Sequence, residues 1–422
     1  MKLYSFSEKF MEQYLVGTFR QALTLRNLPF KGSLKDENLE VLENVGVWVK
    51  NGKIAAIDNF EKLAKRALTD GVEIIELPKT NAWVLTPSLV DCHTHICFGG
   101  NRAKDYALRI AGESYLNIAK AGGGILDTVR KTRLATEEEL TNSMLARLQK
   151  MLSQGVTTAE VKTGYGLSVE EELKMLRSIE KASLQTPIDI IATCLAAHTL
   201  APEFADKKAY LEYILQELLP LVQKENFCKR VDIFVEETAF HYEIAKSYLQ
   251  EAKALGFEIT IHADQFSTAG SRLAVEIQAL SADHLEASTE TEIKMLAESD
   301  TVAVVLPGAS LGLGMSFAPA RRLLDAGACV AISTDWNPGS APMGNLLLQA
   351  SVIAAQQKLC TTETWAAITF RAAKALGLHD RGRLQENFLA DMMAFACNDY
   401  REVLYWQGQM LPKFVWKNGM LV

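Results

Sequence analysis

Between residues 83 and 382, short apolar runs alternate with amphipathic stretches, and this alternation limits the possible folds more than any other feature of the chain. The runs cover 89–95, 157–162, 190–198, 231–236, 258–262, 280–284, 301–307 and 330–335. Helical patterns lie between them, as at 170–182, 209–224, 240–255, 290–297 and 319–326. A strand followed by a loop and a helix, repeated, implies parallel βα units. Eight such units in this length predict a (β/α)₈ TIM-like barrel, whose usual size is roughly 250 residues plus insertions. A doubly wound open sheet is the competitor. It lacks support, because no G-x-G-x-x-G opens the first unit and Gly122-Gly123-Gly124 follows no strand.

The flanks have a different texture. A helix is expected over 10–22 and a strand over 73–77. Asn51-Gly52, between alternating segments at 45–50 and 53–57, is a hairpin signal, since the pair supplies the two positive φ values of a type I′ turn. After the barrel, a helix over 365–376 ends at Gly377, a turn leads into an apolar strand up to 395, and a last hairpin forms around Asn418-Gly419. The predicted organisation is a small β-sandwich domain built from both chain ends, 1–82 and 383–422, with the barrel at 83–382.

Composition excludes several classes of function. The net charge of -7 argues against a nucleic-acid partner. No run approaches the roughly 18 apolar residues of a membrane span, and the first residues lack a signal-peptide apolar region. The seven cysteines are scattered with no C-x-x-C pair, which fits reduced thiols in the cytoplasm. Cys92, between Asp91 and His93, points away from the histidines by strand alternation and reads as packing.

In a barrel of this kind, reacting groups sit at the C-terminal ends of the strands. Of seven histidines in the chain, five end an apolar run: His93 and His95, His198, His262 and His284. His241 starts a helix and His379 follows one. Side chains two residues apart on a strand share a face, so His93 and His95 form a ready pair of metal ligands. With His262 on the fifth run and Asp335 on the eighth they make a set of three imidazoles and one carboxylate, which suits Zn²⁺ or iron. A water on such an ion is acidified to about pKa 7, and Asp335 can hold it. The plain alternative for Asp335 is an Asx-type turn.

These motifs resemble the amidohydrolase superfamily, and within it the imidazolonepropionase family of histidine degradation. The resembling pieces are 91–102 (DCHTHICFGGNR), 122–125 (GGGI), 161–167 (VKTGYGL), 196–199 (AAHT), 261–265 (IHADQ), 281–286 (SADHLE) and 333–340 (STDWNPGS). The resemblance implies hydrolysis of 4-imidazolone-5-propanoate to N-formimidoyl-L-glutamate, with one Zn²⁺, Fe²⁺ or Fe³⁺ held by His93, His95, His262 and Asp335. It further implies that Arg102 grips the substrate carboxylate and Tyr165 hydrogen-bonds the substrate. His198 and His284 bind the ring, and Asn337, Gly339 and Ser340 line the far side. Gly164 and Gly166 are expected to leave the Tyr165 ring exposed.

Gln265 stands where some family members carry a proton-transferring Glu. An amide cannot act as a base, so proton transfer is expected to fall to Asp335 and His284 while Gln265 positions the substrate. Lys162 invites comparison with the bridging lysine of dinuclear relatives. It lies on the second strand and theirs on the fourth, so one metal is expected. A homodimer acting on a small molecule is the assembly the resemblance implies. The alternatives are another amidohydrolase, such as a purine or pyrimidine deaminase, or a non-catalytic scaffold. Gln265 weighs against the deaminase, and the intact ligand set weighs against the scaffold.

Overall fold

The computed structural model describes residues 12–113, 117 and 121–422. Two eight-stranded sheets organise them. The first strands are β1 (Gln13–Leu23), β2 (Val41–Lys50), β3 (Lys53–Asn59), β4 (Glu73–Glu76) and β5 (Trp83–Pro87). The next eight are β6 (Leu89–Asp91), β7 (Val156–Lys162), β8 (Asp189–Ala197), β9 (Arg230–Val235), β10 (Glu258–Ala263), β11 (Ser281–His284), β12 (Val302–Val305) and β13 (Val330–Ile332). The chain closes with β14 (Met392–Ala396), β15 (Phe414–Lys417) and β16 (Met420–Leu421).

Strands β6 to β13 pair in parallel and in sequence order, one for each predicted run. The barrel seam between β6 and β13 is bridged just past the strand ends. Asp335 N donates to His93 O at 3.0 Å, and His95 N donates to Trp336 O at 3.0 Å. Asp91 clasps the same seam, accepting from Thr334 N at 3.0 Å, Thr334 Oγ1 at 2.7 Å and Ser333 Oγ. Helices such as Val169–Ser183, Tyr242–Ala254 and Glu290–Glu298 pack their apolar faces on the outside. Two of these starts carry a side-chain cap: Ser168 accepts from Glu171 N and Thr289 from Thr291 N.

Both chain ends meet in the other sheet, ordered β16-β15-β14-β5-β1-β2-β3 with β4 beside β1. The expected sandwich therefore takes the form of one curled sheet. Tyr14, Val16 and Phe19 face its inner core with Trp416, while Leu15 and Trp48 face the helix Phe60–Asp70. Strand β5 lies in this sheet, so the chain crosses into the barrel at Ser88, a little beyond the expected residue 83. Both Asn-Gly turns have the expected positive φ, 49° and 75° at Asn51 and Gly52, and 50° and 72° at Asn418 and Gly419.

Three expectations need correction. The helix expected over 10–22 is strand β1 from Gln13 on; Phe10 and Met11 lie outside the described residues. Its Tyr, Val, Thr and Phe residues suit a strand, and antiparallel pairing with β2 and parallel pairing with β4 fix it there. The helix expected over 365–376 is two pieces, Thr361–Ala367 and Phe370–Ala375. The break frees Ile368 O to accept from Val90 N at 3.0 Å, tying it to β6. The stretch 209–224 carries a wide turn at Ile214–Leu218, just ahead of Pro220, which has no N–H to continue the regular ladder. Among the described residues, no helix is long and apolar enough to cross a membrane.

Candidate metal centre and active site

The five strand-end histidines gather at one mouth of the barrel. His93 and His95 follow β6 one residue apart, so extended backbone turns both rings the same way. His198 follows β8, His262 lies near the end of β10 and His284 closes β11. Asp335, beyond β13, has φ 51° and His284 has φ 94°. Such values are uncommon outside glycine and cluster at functional turns.

His95 Nε2 lies 3.2 Å from His93 Nε2 and 3.2 Å from His262 Nε2. Asp335 Oδ1 is 3.5 Å from His93 Nε2 and 3.4 Å from His95 Nε2. Donors held about 2.0–2.1 Å from a tetrahedral ion are about 3.3 Å from one another. Four of the six separations within this quartet thus match donors around one ion, and the close triads are His93 with His95 and Asp335, His95 with His198 and His262, and His93 with His262 and His284.

The carboxylates beside two of the rings agree with this. His93 Nδ1 sits 2.6 Å from Asp283 Oδ2, and His262 Nδ1 sits 2.8 Å from Asp232 Oδ2. A proton kept on Nδ1 leaves the Nε2 lone pair facing the cluster. Burial above all, with Lys162 and the neighbouring imidazoles adding to it, holds His93, His95 and His262 well below the usual histidine pKa. Neutral imidazoles with converging lone pairs repel one another unless a cation lies between them, so the residues present fit one metal ion. Burial pushes the Asp335 carboxyl up to about 7, and a cation among the donors would draw it down again.

His198 stacks on His95 with ring centroids 5.2 Å apart and its Nδ1 3.1 Å from Gly164 O. Burial brings its pKa down to about 4. His284 packs against His262, centroids 5.3 Å apart, with Nδ1 3.5 Å from Glu286 Oε2. Burial opposes its charge, but Glu286 foremost among its neighbours raises its pKa.

Tyr165 is only 4% exposed, its ring centroid 6.0 Å from His95 and 5.3 Å from His198. The expectation of an exposed ring is therefore wrong. The flanking glycines serve the backbone instead. Glu172 accepts from the N–H groups of Gly164, Gly166 and Leu167 at 3.1, 2.8 and 2.7 Å, and a Cβ at Gly166 would strike that helix start.

Arg102 is largely buried, its Nε 2.8 Å from Asp105 Oδ2. The same oxygen accepts from Gly124 N at 2.8 Å, so Asp105 pins the glycine-rich loop to the arginine. Asn337 folds its own loop: Oδ1 accepts from Gly339 N at 2.7 Å and Ser340 N at 2.8 Å, and Nδ2 donates to Asp335 O at 2.7 Å. Ser340 Oγ reaches Asp335 Oδ2 at 3.4 Å. Gln265 is buried just beyond β10, on a loop held by Glu236, which accepts from Phe266 N at 2.8 Å and Ser267 N at 3.1 Å.

Sequence reasoning left Asp91, Asp232, Asp283, Glu286 and Asp105 without roles. A carboxylate set inside an otherwise apolar run, as in Val231-Asp232-Ile233, was the available signal.

Residues 84–422 match the model of the amidohydrolase family. An imidazolonepropionase from Acinetobacter baumannii is 44% identical over 394 residues, 92% of this chain and 97% of its own. One from Fusobacterium nucleatum is 39% identical over 392 residues, 92% and 94% of the two chains. This chain belongs to the imidazolonepropionase family of amidohydrolases. As a family member it is a hydrolase of histidine degradation.

The fold also resembles that of an atrazine chlorohydrolase from Arthrobacter aurescens complexed with zinc, with TM-score 0.68, 16% identity and 97% and 94% of the two chains covered. An adenosine deaminase from Xanthomonas campestris with bound zinc matches at TM-score 0.68 and 17% identity, over 97% and 92%. At those identities the likeness is one of fold alone.

Proposed function

We propose that the cluster at the barrel mouth opens the ring of 4-imidazolone-5-propanoate with water, giving N-formimidoyl-L-glutamate, and that His93, His95, His262 and Asp335 hold one Zn²⁺ or iron ion for that step. The convergence of the three Nε2 atoms and Asp335 Oδ1, with four separations of 3.2–3.5 Å among them, carries the reading. When bound, the ion supplies Lewis-acid activation of water and of the ring carbonyl.

The side chains do the rest. Arg102 takes the propanoate carboxylate in a guanidinium fork, which suits it better than an ammonium. Tyr165 donates to the substrate; burial raises its pKa, so its phenol keeps its proton. His198 and His284 flank the ring, and Gln265 hydrogen-bonds it without acid–base work. Asn337, Gly339 and Ser340 form the opposite wall, with Asn337 fixing its shape. Asp335 takes the proton of the attacking water as the new C–O bond forms. His284 returns a proton to the ring nitrogen as the C–N bond breaks. The free cysteines suit a reducing cytoplasm, and a homodimer follows from the family resemblance.

Metal analysis of the purified protein, followed by the loss of ultraviolet absorbance of imidazolone propanoate, tests this. About one ion per chain with turnover supports it. Metal without turnover removes the substrate assignment, and a fully active His262→Ala protein removes the metal mechanism.

A further inference from the structure

Beneath the histidines lies a fully buried cation that the proposed reaction does not use. Lys162 ends β7 with no solvent exposure, and its Nζ is 2.8 Å from Glu160 Oε2, 2.8 Å from Asp232 Oδ2 and 3.8 Å from Asp283 Oδ2. The Asp232 oxygen is the one 2.8 Å from His262 Nδ1, and the Asp283 oxygen is the one 2.6 Å from His93 Nδ1. A single ammonium thus stands between the two carboxylate oxygens that aim two of the three cluster imidazoles.

We propose that Lys162 is a positioning residue of the metal centre, holding Asp232 and Asp283 so that His262 and His93 present Nε2 to one ion. It acts through the two aspartates and touches no substrate. The geometry gives the reason. Three carboxylates crowded into a buried barrel interior repel one another, and a cation among them offsets that repulsion while the shared oxygens stay within reach of the histidine Nδ1 atoms. Asp232 is also fixed by the N–H groups of Ile233 and His262, at 2.7 and 3.2 Å on its other oxygen, and Asp283 by Thr260 Oγ1 at 3.2 Å. On Asp232 those bonds leave the shared oxygen to Lys162; on Asp283 the Thr260 hydroxyl meets the shared oxygen itself, and Lys162 adds the one positive charge that faces both shared oxygens. The inference rests on the metal reading above.

The test loads the full-length protein and its Lys162→Met variant with Zn²⁺ and follows loss of the ion to a chelator. Partners that orient metal-binding histidines typically contribute about 10–100-fold in affinity, and loss from Lys162→Met should be faster by that order. The Co²⁺-substituted variant should show shifted visible bands. Arg371→Met is the control: it removes another fully buried cation, one bonded to Pro29 and Gly32 carbonyls, and should lower stability without changing metal loss. Should Lys162→Met not fold, Lys162→Gln, which keeps a donor, takes its place. Asp283→Asn should lose metal faster as well, and combining it with the lysine change should add little. A folded Lys162 variant that releases metal at the unaltered rate overturns the proposal, as does an Asp283→Asn protein that does so. An unaltered protein that binds no metal at all overturns the metal reading itself. Metal binding without turnover of imidazolone propanoate leaves the Lys162 assignment standing.

Discussion

Arg102 fills the space that a side chain at Gly339 would need: a Cβ built there would overlap Nη1 of the guanidinium. Nη1 is the far end of a flexible side chain, so Gly339→Ala should displace the arginine and leave the fold intact. Nε is anchored to Asp105, so the displacement falls on the fork. Charge-assisted hydrogen bonds contribute about 1.5–3 kcal/mol, and KM for imidazolone propanoate should rise by about 10–100-fold. Metal content and melting temperature should match the unaltered protein. An unchanged KM would detach Arg102 from the substrate.

Tyr165 offers a cleaner removal of one hydrogen bond. Its ring is packed against His198, and phenylalanine preserves that packing. Tyr165→Phe should weaken kcat/KM by about 1–2 kcal/mol, roughly 5- to 30-fold. Steady-state kinetics with metal content measured alongside decides it: a loss of metal in this variant would mean that the ring serves the cluster and not the substrate.

The barrel and the gathering of histidines and Asp335 at its mouth were legible because both depend on local periodicity. Strand alternation puts His93 beside His95, and the ends of the apolar runs mark where His262, His284 and Asp335 fall. What was not legible depends on register. Asp283 sits opposite His262 across the β10–β11 ladder, yet its carboxylate faces His93, just beyond β6. Asp232 sits opposite Thr260 and serves His262. No local pattern specifies which neighbour a buried carboxylate will meet. Strand β1 was missed for the same reason: a stretch with ambiguous periodicity was decided by its partners β2 and β4. The burial of Tyr165 depended on Glu172 pulling the Gly164–Leu167 backbone inward, an interaction across the next loop.

Asp91 belongs to the motif that supplies His93 and His95, yet its work is to close the barrel. It accepts from both Ser333 and Thr334, and Ser333 Oγ in turn accepts from His93 N at 2.7 Å. Asp91→Ala strips these buried donors of their partner, at about 1–3 kcal/mol for each group left unsatisfied. The metal-free variant should lose about 2–4 kcal/mol by urea denaturation. The metal-loaded form should release its ion faster, because the opened seam carries His93, His95 and Asp335. Unchanged release with lowered stability would confine Asp91 to the scaffold.

A carboxylate outside the cluster provides a pH-dependent test of the fold. Glu363 is buried in the helix Thr361–Ala367 and accepts from both terminal nitrogens of Arg321, at 2.8 and 3.0 Å, and from Leu34 N at 3.0 Å and Cys360 N at 2.9 Å. Burial alone would raise its pKa, but the Arg321 fork and the two backbone donors bring it below the ordinary 4.5. A carboxyl with a lowered folded-state pKa stabilises the fold fully above its unfolded value, and that contribution disappears as pH falls through the folded value. Glutamine cannot accept the whole set of donors, because its amide nitrogen would face Arg321 or a backbone N–H. Glu363→Gln should therefore cost about 2–3 kcal/mol at pH 7, and the gap between variant and unaltered protein should narrow steadily as pH falls below about 4.5. Urea titrations of both metal-free proteins at neutral and acidic pH measure this gap. A difference that stays constant with pH would mean that the glutamate acts through packing and not through its charge.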